Sequence, residues 1–203
     1  MDLPLFVCIE GLDGSGKSTL LEALSHRLGD EGIDFIVTSE PTDGPIGKSI
    51  KRYLAISNRA RDVAFEALMF AADRLWHIAS VVEPALDRGQ LVITDRYKYS
   101  SMAYQSRAGD MIKWVEDINR FAPDADLAVF LDTDPEACIS RLEGSRSTAS
   151  VMENLETLWE IYGNYRRLVE LGKLTRVDAE RDQNQVADEV LNMILAKQRQ
   201  SHA

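Results

Sequence analysis

The chain has 203 residues, 45% of them hydrophobic, enough for one α/β domain with a sizeable core. Asp and Glu number 33 against 23 Lys and Arg, a formal net charge of −10. A surface of that sign repels nucleic acid, so any anion site must be local and suits a phosphorylated small molecule. No apolar run approaches the ~20 residues of a membrane helix, and no basic-then-apolar leader opens the chain. No membrane association and a cytoplasmic location are therefore expected.

Leu5–Ile9 is continuously apolar and reads as a strand buried on both faces. Gly11-Leu12-Asp13-Gly14-Ser15-Gly16-Lys17-Ser18 follows and fits G-x-x-x-x-G-K-[ST] at every fixed position. Leu20, Leu21, Ala23, Leu24 and Leu28 then recur at helical spacing. Strand, glycine loop and helix stand in the order of a phosphate-binding loop, whose successive N–H groups form a nest for phosphate oxygens. Lys17 suits β- and γ-phosphates, and the Ser18 hydroxyl suits Mg²⁺. A dinucleotide-binding pattern fails, because Thr19 stands where its last glycine belongs.

Ile33–Ser39 predicts a second strand, ended by a loop containing Pro41 and Pro45. A short helix from Ile46 to about Ile56 carries Lys48, Lys51 and Arg52, either an anion site or a solvated basic face. Asp62–Asp87 predicts one long helix. Its buried stripe is expected to be Ala64, Ala67, Leu68, Ala71, Leu75, Ile78 and Val82. Phe70 and Arg74 fall four apart to one side of that stripe, off the core. There a ring could stack on a base and a guanidinium donate to its carbonyl, or the two could simply pack together. Phe65, Met69 and Trp76 form a second apolar stripe. A helix apolar on two faces either lies deep or packs against a partner subunit, and a symmetric homodimer is expected.

Gln90–Asp95 predicts a third strand with Asp95-Arg96-Tyr97 at its C-terminal end, where open α/β sheets bind ligands. Asp95 suits Mg²⁺ through water, and Arg96 suits bridging phosphates. Ser101, Tyr104 and Gln105 follow within one helical turn. A helix over Ile112–Phe121, a fourth strand over Ala125–Asp132 and a helix over Pro135–Leu142 lead to a small polar stretch at about 143–151. That stretch reads as a lid with Arg146 its only cation. Met152–Leu171 is helical, Leu174–Asp178 a fifth strand and Gln183–Arg199 a last helix. The alternation predicts a mostly parallel sheet covered by helices on both faces. Cys8 and Cys138 read as two buried thiols, and His26, His77 and His202 have no metal-ligand spacing.

The segments EGLDGSGKST, SEPTDGPIG, LMFAADR, TDRYKYSSMAYQ and VFLDTDPEACISR resemble the thymidylate kinases, within the P-loop nucleoside monophosphate kinases. The resemblance runs over essentially the whole chain. It implies a single domain of three-layer α/β/α architecture, a five-stranded parallel sheet, a short lid, and subunits paired through long helices. It also implies transfer of the γ-phosphoryl of MgATP to dTMP, on the way to dTTP. Gly11 to Thr19 would grasp ATP, with Arg141 packing on its adenine. Phe70 would stack on thymine, Arg74 bond its O4, Gln105 read the base edge with Ser101 nearby, and Tyr104 pack by the sugar. Asp13 would accept from the 3′-hydroxyl, and Arg96 with Lys51 would hold the monophosphate.

Two departures bear on the lid and the second loop. Gly14 stands where eukaryotic-type members carry an arginine, so the transition-state arginine is expected in the lid, as Arg146. Asp43 stands where some relatives have an arginine, which shifts weight to Lys51. A kinase of another nucleoside monophosphate or of a deoxynucleoside is the rival reading, since the glycine loop is common to many enzymes. A nucleotide switch is a weaker one, because no N-K-x-D guanine motif is present.

Overall fold

The computed structural model describes residues 4–56, 62–106, 111–144 and 155–200. Arg146 and most of the expected lid lie outside them. Among the described residues one sheet of five parallel strands runs in the order β2-β3-β1-β4-β5. The strands are β1 (Phe6–Glu10), β2 (Phe35–Ser39), β3 (Leu91–Asp95), β4 (Leu127–Asp132) and β5 (Thr175–Asp178). β1, β3 and β4 are buried almost throughout, which is why they read as unbroken apolar runs. Period-two alternation splits them between two cores. Phe6, Cys8, Val92, Ala128 and Phe130 face one side, with Tyr97, Met102, Leu158 and Tyr165. Val7, Ile9, Leu91, Ile93, Val129 and Leu131 face the other, under α1 (Lys17–Asp30) and α9 (Gln183–Gln200). The three-layer architecture expected from the alternation is thus present. Cys8 and Cys138 are both buried thiols outside any disulfide.

The remaining helices are α2 (Pro45–Leu54), α3 (Val63–His77), α4 (Glu83–Asp87), α5 (Lys98–Tyr104), α6 (Ile112–Ile118), α7 (Pro135–Gly144) and α8 (Leu155–Glu170). Between α3 and α4 the rod continues through a π turn, Ile78–Val82. Pro84 explains it: a proline inside a helix removes one N–H and crowds the carbonyl four residues back, and a wider turn absorbs both.

The buried face of α3 corrects the sequence reading. Leu68 and Leu75, expected in the core, are 53% and 42% exposed, as is Phe65 at 46%. Glu66, Asp73, Arg74 and His77 are buried instead. Arg74 is therefore not off the core but within it. Arg74, Asp73 and His77 have what a buried polar group needs, a partner. Arg74 Nη2 meets Glu40 Oε2 at 2.6 Å, and His77 contacts Glu40 Oε1 at 3.1 Å and Thr38 Oγ1 at 2.9 Å. Asp73 accepts from the N–H and hydroxyl of Thr42 at 2.8 and 2.7 Å. These bonds fasten the loop after β2 to α3 beside the mouth of the sheet.

Candidate active site

The glycine loop joins the C-terminal end of β1 to α1. Gly16, at φ 97°, opens the helix, and no side chain caps it. The first N–H groups of α1 are left to an anion. Gly14 has φ 84°, and a Cβ there would lie 2.5 Å from the carbonyl oxygen of Cys138. Only glycine lets the loop lie this close to α7. Lys17 is buried and donates to the carbonyls of Gly11 (3.2 Å) and Leu12 (2.8 Å). Burial, and next the charge of Arg96, lower its pKa to about 8 against the opposing pull of Asp13. Ser18 and Thr19 are exposed. From α7, Arg141 donates to the carbonyl of Gly14 at 3.2 Å, so the side expected to receive adenine does adjoin the loop.

Arg96 follows β3 with a left-handed backbone, φ 69°, the one non-glycine of positive φ among the described residues. Such a backbone costs about 1–3 kcal/mol, and its surroundings must hold it. Its guanidinium pairs with Asp13, donates to Ser100 Oγ at 3.0 Å and lies over the Tyr104 ring at 4.9 Å. Burial alone would weaken its charge; Tyr104 and Asp13 outweigh that and raise its pKa above the usual arginine value.

From this pair a cavity of about 250 Å³ runs between α3 and α5. Asp13, Phe70, Arg74, Arg96, Ser101, Tyr104 and Gln105 all line it, with Glu40, Leu54, Glu66, Tyr97, Ser100 and Ile161. Seven expected acceptor-site residues, scattered over more than ninety positions, therefore share one wall. Arg74 donates to Asn119 Oδ1 at 2.5 Å and Ser101 Oγ at 3.2 Å, and its Nε is buried without a partner. Asp95 Oδ1 is likewise buried and unpartnered. Lys51 is not among the described residues that line the cavity, and its ammonium pairs with exposed Asp43 at 2.7 Å. Lys48, Lys51 and Arg52, the basic side of α2, are exposed.

Sequence reasoning missed Glu10, Glu40 and Asn119. Glu10 carried a signal, a carboxylate ending a run otherwise buried on both faces. Glu40 and Asn119 carried none, since their partner Arg74 is 34 and 45 residues away.

A parallel sheet, a G-x-x-x-x-G-K-S loop at its C-terminal edge and an arginine-lined cavity leading from that loop define a P-loop nucleotide-binding protein. A sequence model of the family described as Thymidylate kinase matches residues 9–190. A protein named "Probable thymidylate kinase" from Staphylothermus marinus is 38% identical over 190 residues, 94% of each chain. Proteins of the same printed name from Pyrococcus abyssi and Thermococcus kodakarensis are 40% and 32% identical. They cover 85% and 94% of this chain and 86% and 97% of their own. The chain belongs to the thymidylate kinase family.

Proposed function

We propose that the protein transfers the γ-phosphoryl group of ATP to dTMP, giving dTDP and ADP, as one kinase domain. The observation that carries this is the cavity itself. An aromatic ring (Phe70), a buried guanidinium (Arg74) and an amide (Gln105) line it together with Arg96 and Asp13, and Asp13 lies 4.0 Å from the Lys17 ammonium. In this reading the base stacks on Phe70 and its carbonyl receives a bond from Arg74, which lines the cavity. Gln105 and Ser101 face the base edge and Tyr104 the sugar. Asp13 takes the 3′-hydroxyl and releases Arg96 to the monophosphate.

The acceptor phosphate is already an anion, so no strong base is required. Catalysis is positioning plus stabilisation of charge spread over the transferring group. Lys17 turns from the loop carbonyls to the donor phosphates, Arg96 holds the acceptor in line, and Arg146 of the lid supplies the remaining charge. Arg141 packs on adenine. Mg²⁺ fits the donor set: Ser18 offers a hydroxyl, and buried Asp95 Oδ1 lacks a hydrogen-bond partner. When bound, the ion offsets charge on the β- and γ-phosphates. No helix among the described residues is long and apolar enough to cross a membrane, and a cytoplasmic enzyme is proposed. Exposed Phe65, Leu68 and Leu75 on α3 support a homodimer paired through this face.

An acceptor screen with MgATP tests the reading. ADP release should be stimulated by dTMP well beyond dUMP, CMP or thymidine. Preference for thymidine, or hydrolysis that no monophosphate stimulates, refutes it.

A further inference from the structure

Glu10 has no part in the reaction as described. It is the last residue of β1, adjoins the glycine loop and is fully buried. Burial raises its pKa, against hydrogen bonding from Ser100 and the charge of Arg96. A buried carboxylate is costly unless its lone pairs are filled, and here the filling comes from Tyr97, just before α5, and from α5 and α8. Oε1 accepts from the N–H groups of Tyr97 (2.8 Å) and Ser100 (3.1 Å). Oε2 accepts from the hydroxyls of Ser100 (2.5 Å) and Tyr165 (3.0 Å).

Two of those contacts bear on Arg96. Its N–H donates to Ile9 at 3.0 Å, and the next N–H, of Tyr97, donates to Glu10. The left-handed residue is thus held between two consecutive positions of β1. The Ser100 hydroxyl gives its hydrogen to Glu10, which turns its oxygen toward Arg96 Nη1, 3.0 Å away. One carboxylate therefore bears on both parts of Arg96, on the backbone through the N–H of Tyr97 and on the guanidinium through Ser100, beside the contacts of Ile9, Asp13 and Tyr104.

We infer that Glu10 is a positioning residue for Arg96, fixing the guanidinium where the acceptor's phosphate must lie. This rests on the reading of Arg96 as the phosphate-holding cation. A glutamine at position 10 keeps the volume but has one acceptor oxygen for two pairs of donors. If that oxygen stays on the N–H pair, the amide N–H group faces the Ser100 and Tyr165 hydroxyls, which lie 3.0 Å apart, and the Ser100 hydroxyl loses the acceptor that orients its oxygen toward Arg96.

The experiment measures dTMP and ATP kinetics separately, with calorimetric dTMP binding, for the full chain, Glu10→Gln and Ser100→Ala. Both variants should raise the dTMP KM and Kd about 10- to 100-fold, with the ATP KM held within about twofold. In an Arg96→Met background Glu10→Gln should add no more than about twofold, because the group it positions is gone. Full additivity in that background overturns the inference, as does an unchanged dTMP KM, or equal rises in both KM values. If Glu10→Gln does not fold, Ser100→Ala with and without Arg96→Met decides by the same criterion. Failure of the unmodified chain to phosphorylate dTMP is a different result and refutes the proposed function.

Discussion

Arg74→Ala should damage the fold as well as the binding of the base. The guanidinium is 1% exposed and meets Glu40, itself 4% exposed, at 2.6 Å. Removing one member of a buried pair strands the other and costs about 3–5 kcal/mol. Asn119 loses its donor as well, for about 1 kcal/mol, while His77 at 3.1 Å still contacts Glu40 and limits the loss. A net of about 4 kcal/mol lowers Tm by roughly 8–16 °C in a chain of this length and removes a large part of a typical total of about 5–15 kcal/mol. Urea titration at pH 7 with and without Glu40→Gln measures it. The double variant should recover about 2 kcal/mol, since no charge is left stranded. A loss below about 1 kcal/mol, or strict additivity of the two substitutions, would show that Arg74 and Glu40 do not depend on each other, and the reasoning fails.

The remaining predictions concern loop, base, proton and subunit. Gly14→Ala places a Cβ 2.5 Å from a main-chain oxygen at φ 84°; ATP KM should rise at least about tenfold, with about 1–3 kcal/mol lost in urea, and a change under about twofold counts against the loop packing. Phe70→Ala should raise the dTMP KM roughly tenfold to a hundredfold, stacking being worth ~1–3 kcal/mol, and leave the ATP KM unmoved. Lys17, lowered from 10.5 to about 8, has shed its proton in the folded chain between those pH values while the unfolded chain keeps it. Stability contributed through Lys17 therefore rises with pH across that window and is flat below it, and Lys17→Met should abolish the slope. ATP favours the charged amine, so its binding above pH 8 should take up protons, seen calorimetrically as an enthalpy that varies with the buffer. Leu68→Glu puts charge on the exposed face of α3 and should shift sedimentation from dimer to monomer; monomeric unmodified protein would refute the proposed pairing.

What was legible follows from what sequence periodicity measures. β1, β3 and β4 were readable because they lie inside a covered parallel sheet, where nearly every side chain is apolar. The glycine loop was readable because its spacing is imposed by backbone conformation. β2 was placed two residues too early at its start, and α6 three residues too long. At the end of α6 the Asn119 side chain folds back to the carbonyl of Val115 at 2.7 Å and serves Arg74. No local pattern announces such an ending.

The stripe predicted on the long helix holds at Ala67, Ala71, Ile78 and Val82, which are buried, and fails at Leu68 and Leu75, which are exposed. The reason for the failure is energetic. A helical wheel charges Glu66, Asp73, Arg74 and His77 the full cost of leaving water, so it places Leu68 and Leu75 inside. That cost is offset by Glu40, Thr42 and Asn119, which stand 31 to 45 residues from the Asp73 and Arg74 they serve. A wheel spanning one helix cannot contain those partners. The errors also have a location. Arg74, placed off the core by the wheel, Glu66, which it did not single out, and Ser100, the middle of the path from Glu10 to Arg96, all line the cavity. Local rules fail where a chain gives up local stability to place a charge for a ligand. On that argument the helix least legible from periodicity is the one whose buried face most directly shapes what the cavity accepts.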